Sequence, residues 1–238
     1  MVFARFVAPL LAVAACLVGS FCAVAPVAAD QEYTKQKMCE VCHSIAHGDM
    51  QPVTPTYKET KHAKAEGDDP RHSFNGEPHV GCQACHGPGK AHASSSKKED
   101  IKLPEQIEDR KGRLSLCGRC HAKYEEDYLK DYTYGDDILD KVTLTEPTGE
   151  PLQQVNEMKG SKHFTADNGP TCITCHTGHK GIKEDLPHQI RKPIDELCTD
   201  CHAAQADLTH SKMTVPDGAT CATCHMPERK HIIKVAPQ

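Results

Sequence analysis

Cys-x-x-Cys-His occurs six times in this chain. The copies are Cys39-Glu-Val-Cys42-His43, Cys82-Gln-Ala-Cys85-His86, Cys117-Gly-Arg-Cys120-His121, Cys172-Ile-Thr-Cys175-His176, Cys198-Thr-Asp-Cys201-His202 and Cys221-Ala-Thr-Cys224-His225. Two thiols at this spacing can form thioethers with the two vinyl groups of a porphyrin, and the adjacent His is then held beneath the iron as its fifth ligand. A zinc knuckle or a thioredoxin-type dithiol also uses Cys-x-x-Cys. Neither needs His as the next residue, and a His there is badly placed to join its neighbouring Cys on one zinc ion. With 16 His in 238 residues, chance does not put one after all six pairs. The pattern implies six haem c groups and one-electron redox chemistry at iron.

The chain has 14 Cys, and the two outside the motifs, Cys16 and Cys22, lie in an apolar N-terminal stretch. Arg5, an apolar run from Phe6 to about Val24 and the small residues Val27-Ala28-Ala29 before Asp30 read as a secretory signal peptide over residues 1–29, cut after Ala29. Cleavage would leave no thiol outside the motifs, which suits an oxidising compartment. Haem c is also completed outside the cytoplasmic membrane. The segment fits two other roles as well: Val13-Ala14-Ala15-Cys16 resembles a lipoprotein cleavage box, and the run to Ala25 is long enough to stay as an uncleaved anchor.

The elements that must position these motifs are set by an unusual composition. There is no Trp, and only Phe74 and Phe164 follow the leader. Ordinary side chains of this kind do not bury enough surface to offset the conformational entropy of a chain this long. The porphyrins are expected to be the core. The fold class that follows is mainly α with extensive loop, six covalently bound haems at the centre and little or no β-sheet. The longest interval between motifs separates the third from the fourth. A three-haem module over 30–135, a connector over 136–160 rich in Thr, Gly, Pro and acidic residues, and a three-haem module over 161–238 are expected. Tyr124, Tyr128 and Tyr132, four apart, predict a helix running on from the third motif and stopping near Gly135, with the Tyr face packed on a porphyrin. Pro193 predicts the first turn of a helix leading into Cys198. The formal net charge of −5 argues against nucleic acid as a partner and for docking on basic patches of redox proteins.

Ten His lie outside the motifs, and six would give every iron a second imidazole. That surplus favours bis-His, low-spin, fairly low-potential irons; a Met ligand would raise the potential. Reach limits the pairing. Three extended residues span about 10 Å, too short to leave His176, round the porphyrin edge and return. His179, as a ligand, must therefore serve a neighbouring haem, and the same holds for His47 relative to His43.

Cys172-Ile-Thr-Cys175-His176-Thr-Gly-His179 followed by Glu196-Leu197-Cys198-Thr-Asp-Cys201-His202 resembles the doubled motif of multihaem cytochromes c. Val80-Gly-Cys82-Gln-Ala-Cys85-His86-Gly-Pro-Gly-Lys-Ala-His92 is similar to a signature of periplasmic decahaem cytochromes of the DmsE/MtrA type, and Gly160-Ser-Lys-His163 resembles their upstream distal-ligand pattern. The resemblance runs from about Cys39 to His202, with six motifs against ten haems. Spacing and resemblance together select His62, His92, His163, His179, His210 and His231 as distal ligands. His72, His79 and His188 read as solvated surface residues, and His47 as the alternate. The resemblance implies a periplasmic electron relay in anaerobic respiration, between a quinol-oxidising cytochrome and a terminal reductase or outer-membrane complex. It implies no catalytic residues and no membrane association unless the leader is retained or lipidated. Rival readings are a reductase of a nitrogen or sulfur oxyanion with one open iron, a membrane-anchored quinol dehydrogenase, and an extracellular filament subunit.

Overall fold

A computed structural model of the chain describes residues 32–48, 50–65, 80–126, 132–179, 186–206 and 214–234, which lie in one compact unit. Its regular structure is helical and short. In chain order α1 spans Gln36–His43, α2 Val53–Lys58, α3 Cys82–His86, α4 Lys90–Ser95 and α5 Arg110–His121. They are followed by α6 Gln154–Met158, α7 Lys162–Thr165, α8 Cys172–Cys175, α9 Ile194–Thr199 and α10 Cys221–His225. Among the described residues there is no sheet, only bridges joining His47 to Met50, Tyr124 to Leu144 and His176 to Ile190. The mainly helical, loop-rich class expected from composition is the one observed. No helix among the described residues is long and apolar enough to cross a membrane. The expected leader, residues 1–29, lies outside them.

Each motif sits on or at the end of a helical turn, because residues three apart share a helix face and Cys-x-x-Cys then presents both sulfurs to one side. Local chemistry starts these turns. Ahead of α8 the Thr171 N–H donates to Thr174 Oγ1 at 3.0 Å, and ahead of α10 the Thr220 N–H donates to Thr223 Oγ1 at 2.9 Å. The second variable residue of both motifs thus closes its own helix entry. α5 is capped by Asp109, whose carboxylate accepts the Gly112 N–H at 2.7 Å, an interaction worth about 1 kcal/mol. Pro193, expected inside the first turn of α9, stands one residue earlier as its N-cap.

The Tyr stripe is not helical where it is described. α5 ends at His121, Ala122 is extended, and Tyr124 is bridged to Leu144, while Tyr128 lies outside the described residues. The cause is Asn156, which is buried. Its amide accepts the Lys123 N–H at 2.8 Å and donates to the carbonyls of Lys123 and Thr145 at 2.6 and 2.8 Å. A helix through Lys123 would consume those backbone groups internally, so the long-range clamp excludes it.

Residues 136–160 pack closely against α5. Ile138 is fully buried, and Val155 and Met158 of α6 join Leu114 and Leu116 in a small apolar core. Ser115 fixes this contact by accepting the Ile138 N–H at 3.0 Å and donating to Asp137 at 3.2 Å. The motif helices associate in three pairs: α1 with α3, α5 with α8, and α9 with α10.

Candidate haem sites

Five motif imidazoles each face another imidazole. Ring centres are 6.0 Å apart for His43 and His92, 6.1 Å for His86 and His179, and 5.8 Å for His121 and His62. They are 5.9 Å apart for both His176 with His231 and His202 with His163. A metal–imidazole bond is about 2 Å and the ring centre lies about 1 Å further back, so two imidazoles gripping one metal have centres about 6 Å apart. The rings are within 39° of parallel in four pairs and near perpendicular, at 89°, for His62 and His121.

These facing residues are five of the six distal candidates: His62, His92, His163, His179 and His231. The sixth, His210, lies outside the described residues, as do His72 and His79. His47 is exposed and bridges to Met50, and His188 is exposed, with its carbonyl turned to His176. His179 does not face its near neighbour His176; it faces His86, ninety-three positions earlier in the chain.

Five of the imidazoles are held in the tautomer a ligand needs. Carbonyl oxygens only accept, so a carbonyl at Nδ1 puts the proton there and leaves Nε2 free for a metal. His86 donates to the Lys102 carbonyl at 3.3 Å, His92 to Lys97 at 2.8 Å, His176 to His188 at 3.0 Å and His225 to Lys234 at 2.7 Å. His121 donates to the side-chain oxygen of Gln154 at 2.9 Å. Burial first, then the facing imidazole, lowers the pKa of His43, His62, His163, His179 and His231; burial also lowers those of His86 and His176. Neutral imidazole is the ligating form.

The thiols are brought together across motifs. Cys39 and Cys82 are within hydrogen-bond range, which holds the Cys39 thiol up and brings Cys82 down to about 7. Cys117 and Cys172 meet in the same way, Cys117 raised and Cys172 lowered. Cys198 and Cys221 also meet, with burial pushing Cys221 up to about 12. Between these pairs, Cys85 lies near Cys120 and Cys175 near Cys198 and Cys201. Cys42 and Cys201 are exposed; Cys224 is half-buried.

Two buried glutamines set the first contact. Gln36 accepts the Cys82 N–H at 2.9 Å and donates to the Cys82 sulfur at 3.1 Å. Gln83 accepts the N–H groups of Thr34 and Gly89 at 2.9 and 3.0 Å and donates to the Thr34 carbonyl at 2.5 Å. The hydroxyls of Tyr57 and Tyr134 are buried without a hydrogen-bond partner among the described residues, and both lie beside Cys85. Facing imidazoles, convergent thiols and orphaned phenols fit a large apolar macrocycle with polar edge groups. Gln36, Gln83, Gln154 and Asn156 were not singled out from sequence; each acts across 33 to 49 positions, and nothing local marks them.

A family model, the doubled CXXCH motif, matches residues 163–207. Multiheme cytochrome MtrA of Shewanella baltica is 24% identical over 150 residues, covering 62% of this chain and 43% of that protein. C-type polyheme cytochrome OmcB of Geobacter sulfurreducens is 33% identical over 103 residues, 37% of this chain and 13% of that protein. The chain thus spans less than half the length of the curated relatives it matches. Of solved structures, the outer cell wall cytochrome OcwA is 22% identical over 66% of this chain and 50% of its own, with a TM-score of 0.45. An undecaheme cytochrome from the S-layer of Carboxydothermus ferrireducens is 22% identical over 67% and 33%, with a TM-score of 0.35. In its motifs and in its sequence the chain resembles the multihaem cytochromes c that carry doubled Cys-x-x-Cys-His motifs.

Proposed function

We propose that the chain is an exported, periplasmic hexahaem cytochrome that relays electrons in anaerobic respiration, from a quinol-oxidising cytochrome at the membrane to a terminal reductase or outer-membrane conduit. The single observation that carries this reading is the set of five imidazole pairs near 6 Å. It supports irons closed on both faces, by His43 with His92, His86 with His179, His121 with His62, His176 with His231 and His202 with His163. The same reading gives His225 to His210. Haem iron supplies reversible one-electron chemistry; the chain attaches, ligates, spaces and tunes it. An iron closed on both faces has no position for a substrate, which favours a carrier over a reductase. The meeting of Cys39 with Cys82, Cys117 with Cys172 and Cys198 with Cys221 supports neighbouring porphyrins in three close pairs, and the Cys85–Cys120 and Cys175–Cys198 approaches support contact between pairs.

Holoprotein matured in a host competent for haem c tests the reading. Its mass should exceed the leaderless polypeptide by six haems, its oxidised EPR spectrum should show only low-spin iron, and its reduced form should not bind carbon monoxide. One stoichiometric high-spin haem in fresh protein would replace the relay with a reductase acting at that iron.

A further inference from the structure

The side chain of Arg110, the first residue of α5, reaches into the loop that carries His163. Its Nε donates to the Gly169 carbonyl at 2.7 Å and its Nη1 to Phe164 at 3.1 Å. Its Nη2 donates to the carbonyls of His163 at 2.5 Å and Pro170 at 3.2 Å. One planar guanidinium thus ties both ends of the segment 163–170. One of the gripped carbonyls belongs to His163 itself.

The segment needs such a tie. α7 is four residues long, too short to hold itself together. Its own support is Ser161, which accepts the Phe164 N–H at 3.3 Å and donates to the Met158 carbonyl at 2.7 Å. Gly169 is part of the same device. A Cβ there would lie 2.2 Å from the His163 oxygen and 2.8 Å from Arg110 Nη2, so only glycine lets the loop fold back onto the guanidinium. The other end of α5 is the third motif, and a twelve-residue helix is about 18 Å of rigid lever. The fourth motif begins two residues after Pro170. His163 faces His202 of the fifth.

We propose that Arg110 is the positioning residue that holds His163 over the haem on Cys198 and Cys201, coupling that iron's sixth ligand to the helix of the third motif. The proposal rests on reading His163 and His202 as an axial pair. Arginine is required because four carbonyls in different directions need its fixed fork of five N–H donors; a lysine ammonium meets only some of them.

The test uses matured full-length holoprotein. R110M should keep every haem by mass yet bind one equivalent of carbon monoxide when reduced, against none in the parent, and gain one high-spin signal when oxidised. R110K should show a fraction of one equivalent. H163A should bind one equivalent, and the double variant R110M/H163A still only one, because both act at the same iron. Should R110M not accumulate, G169A, whose Cβ would press on both the His163 carbonyl and the guanidinium and so break the same grip, should bind one equivalent. Arg110 has no positioning role at this iron if H163A binds one equivalent while R110M, or G169A in its stead, binds none, or if the double variant binds two. If H163A itself binds none, the axial pairing is wrong at this haem.

Discussion

At five of the candidate ligands, His86, His92, His121, His176 and His225, the local chemistry is a proton fixed at Nδ1. Four of the described acceptors are main-chain carbonyls, which no substitution removes; Gln154 is the one that belongs to a side chain. An acceptor at Nδ1 pushes electron density through the ring onto Nε2 and favours the oxidised iron. Gln154→Leu keeps the volume and removes the acceptor. The haem on Cys117 and Cys120 should then shift to a higher midpoint potential in a spectroelectrochemical titration while its spectrum stays low-spin. Unchanged potentials throughout would mean that Gln154 merely fills space beside His121. His231 is set differently from His92. Its Nδ1 lies 3.8 Å from Glu157 Oε2, and the same carboxylate oxygen accepts its backbone N–H at 2.9 Å.

At the level of elements, the contact between α1 and α3 runs through Gln36, which is 5% exposed. Gln36→Leu removes the acceptor for the Cys82 N–H and leaves that group buried and unpaired, at a cost of about 1–3 kcal/mol. Denaturant unfolding of the holoprotein should show that loss with haem content unchanged; a loss below about 0.5 kcal/mol would mean that the ladder of the α3 turn holds itself. The short motif helices were legible in the sequence because Cys-x-x-Cys-His carries its own spacing and, in α8 and α10, its own Thr cap. Surplus His and limited reach narrowed the distal candidates to a set, five of which the structure brings opposite a motif imidazole. Their pairing was not legible. His62 stands twenty positions before the second motif yet faces His121 of the third, and His92, six past His86, faces His43. A periodic Tyr spacing misled for the same reason. Local pattern speaks for a helix at Tyr124, and Asn156, thirty-three positions from Lys123, takes the backbone it would need.

At the scale of the whole molecule, few apolar side chains are buried among the described residues, and they centre on α5 and α6: Leu114, Leu116, Ile138, Val155 and Met158. Ordering each residue costs about 1–2 kcal/mol of backbone entropy, and burying a large aliphatic side chain returns about 1.5–3 kcal/mol. The side chains buried among the described residues fall well short of that cost. On the proposed reading, the remaining stabilisation comes from haems bonded to the Cys pairs and held between the facing imidazoles. The chain made without haem attachment, or with every motif Cys changed to Ser, should therefore show little helical circular dichroism and no cooperative thermal transition, whereas the matured protein melts in one step. Residual structure in the haem-free chain should centre on α5 and α6, where hydrogen exchange would find the last slow amides. A cooperative melt of the haem-free chain at the holoprotein's temperature would show that the polypeptide makes its own core, and the macrocycles would then be passengers on the fold.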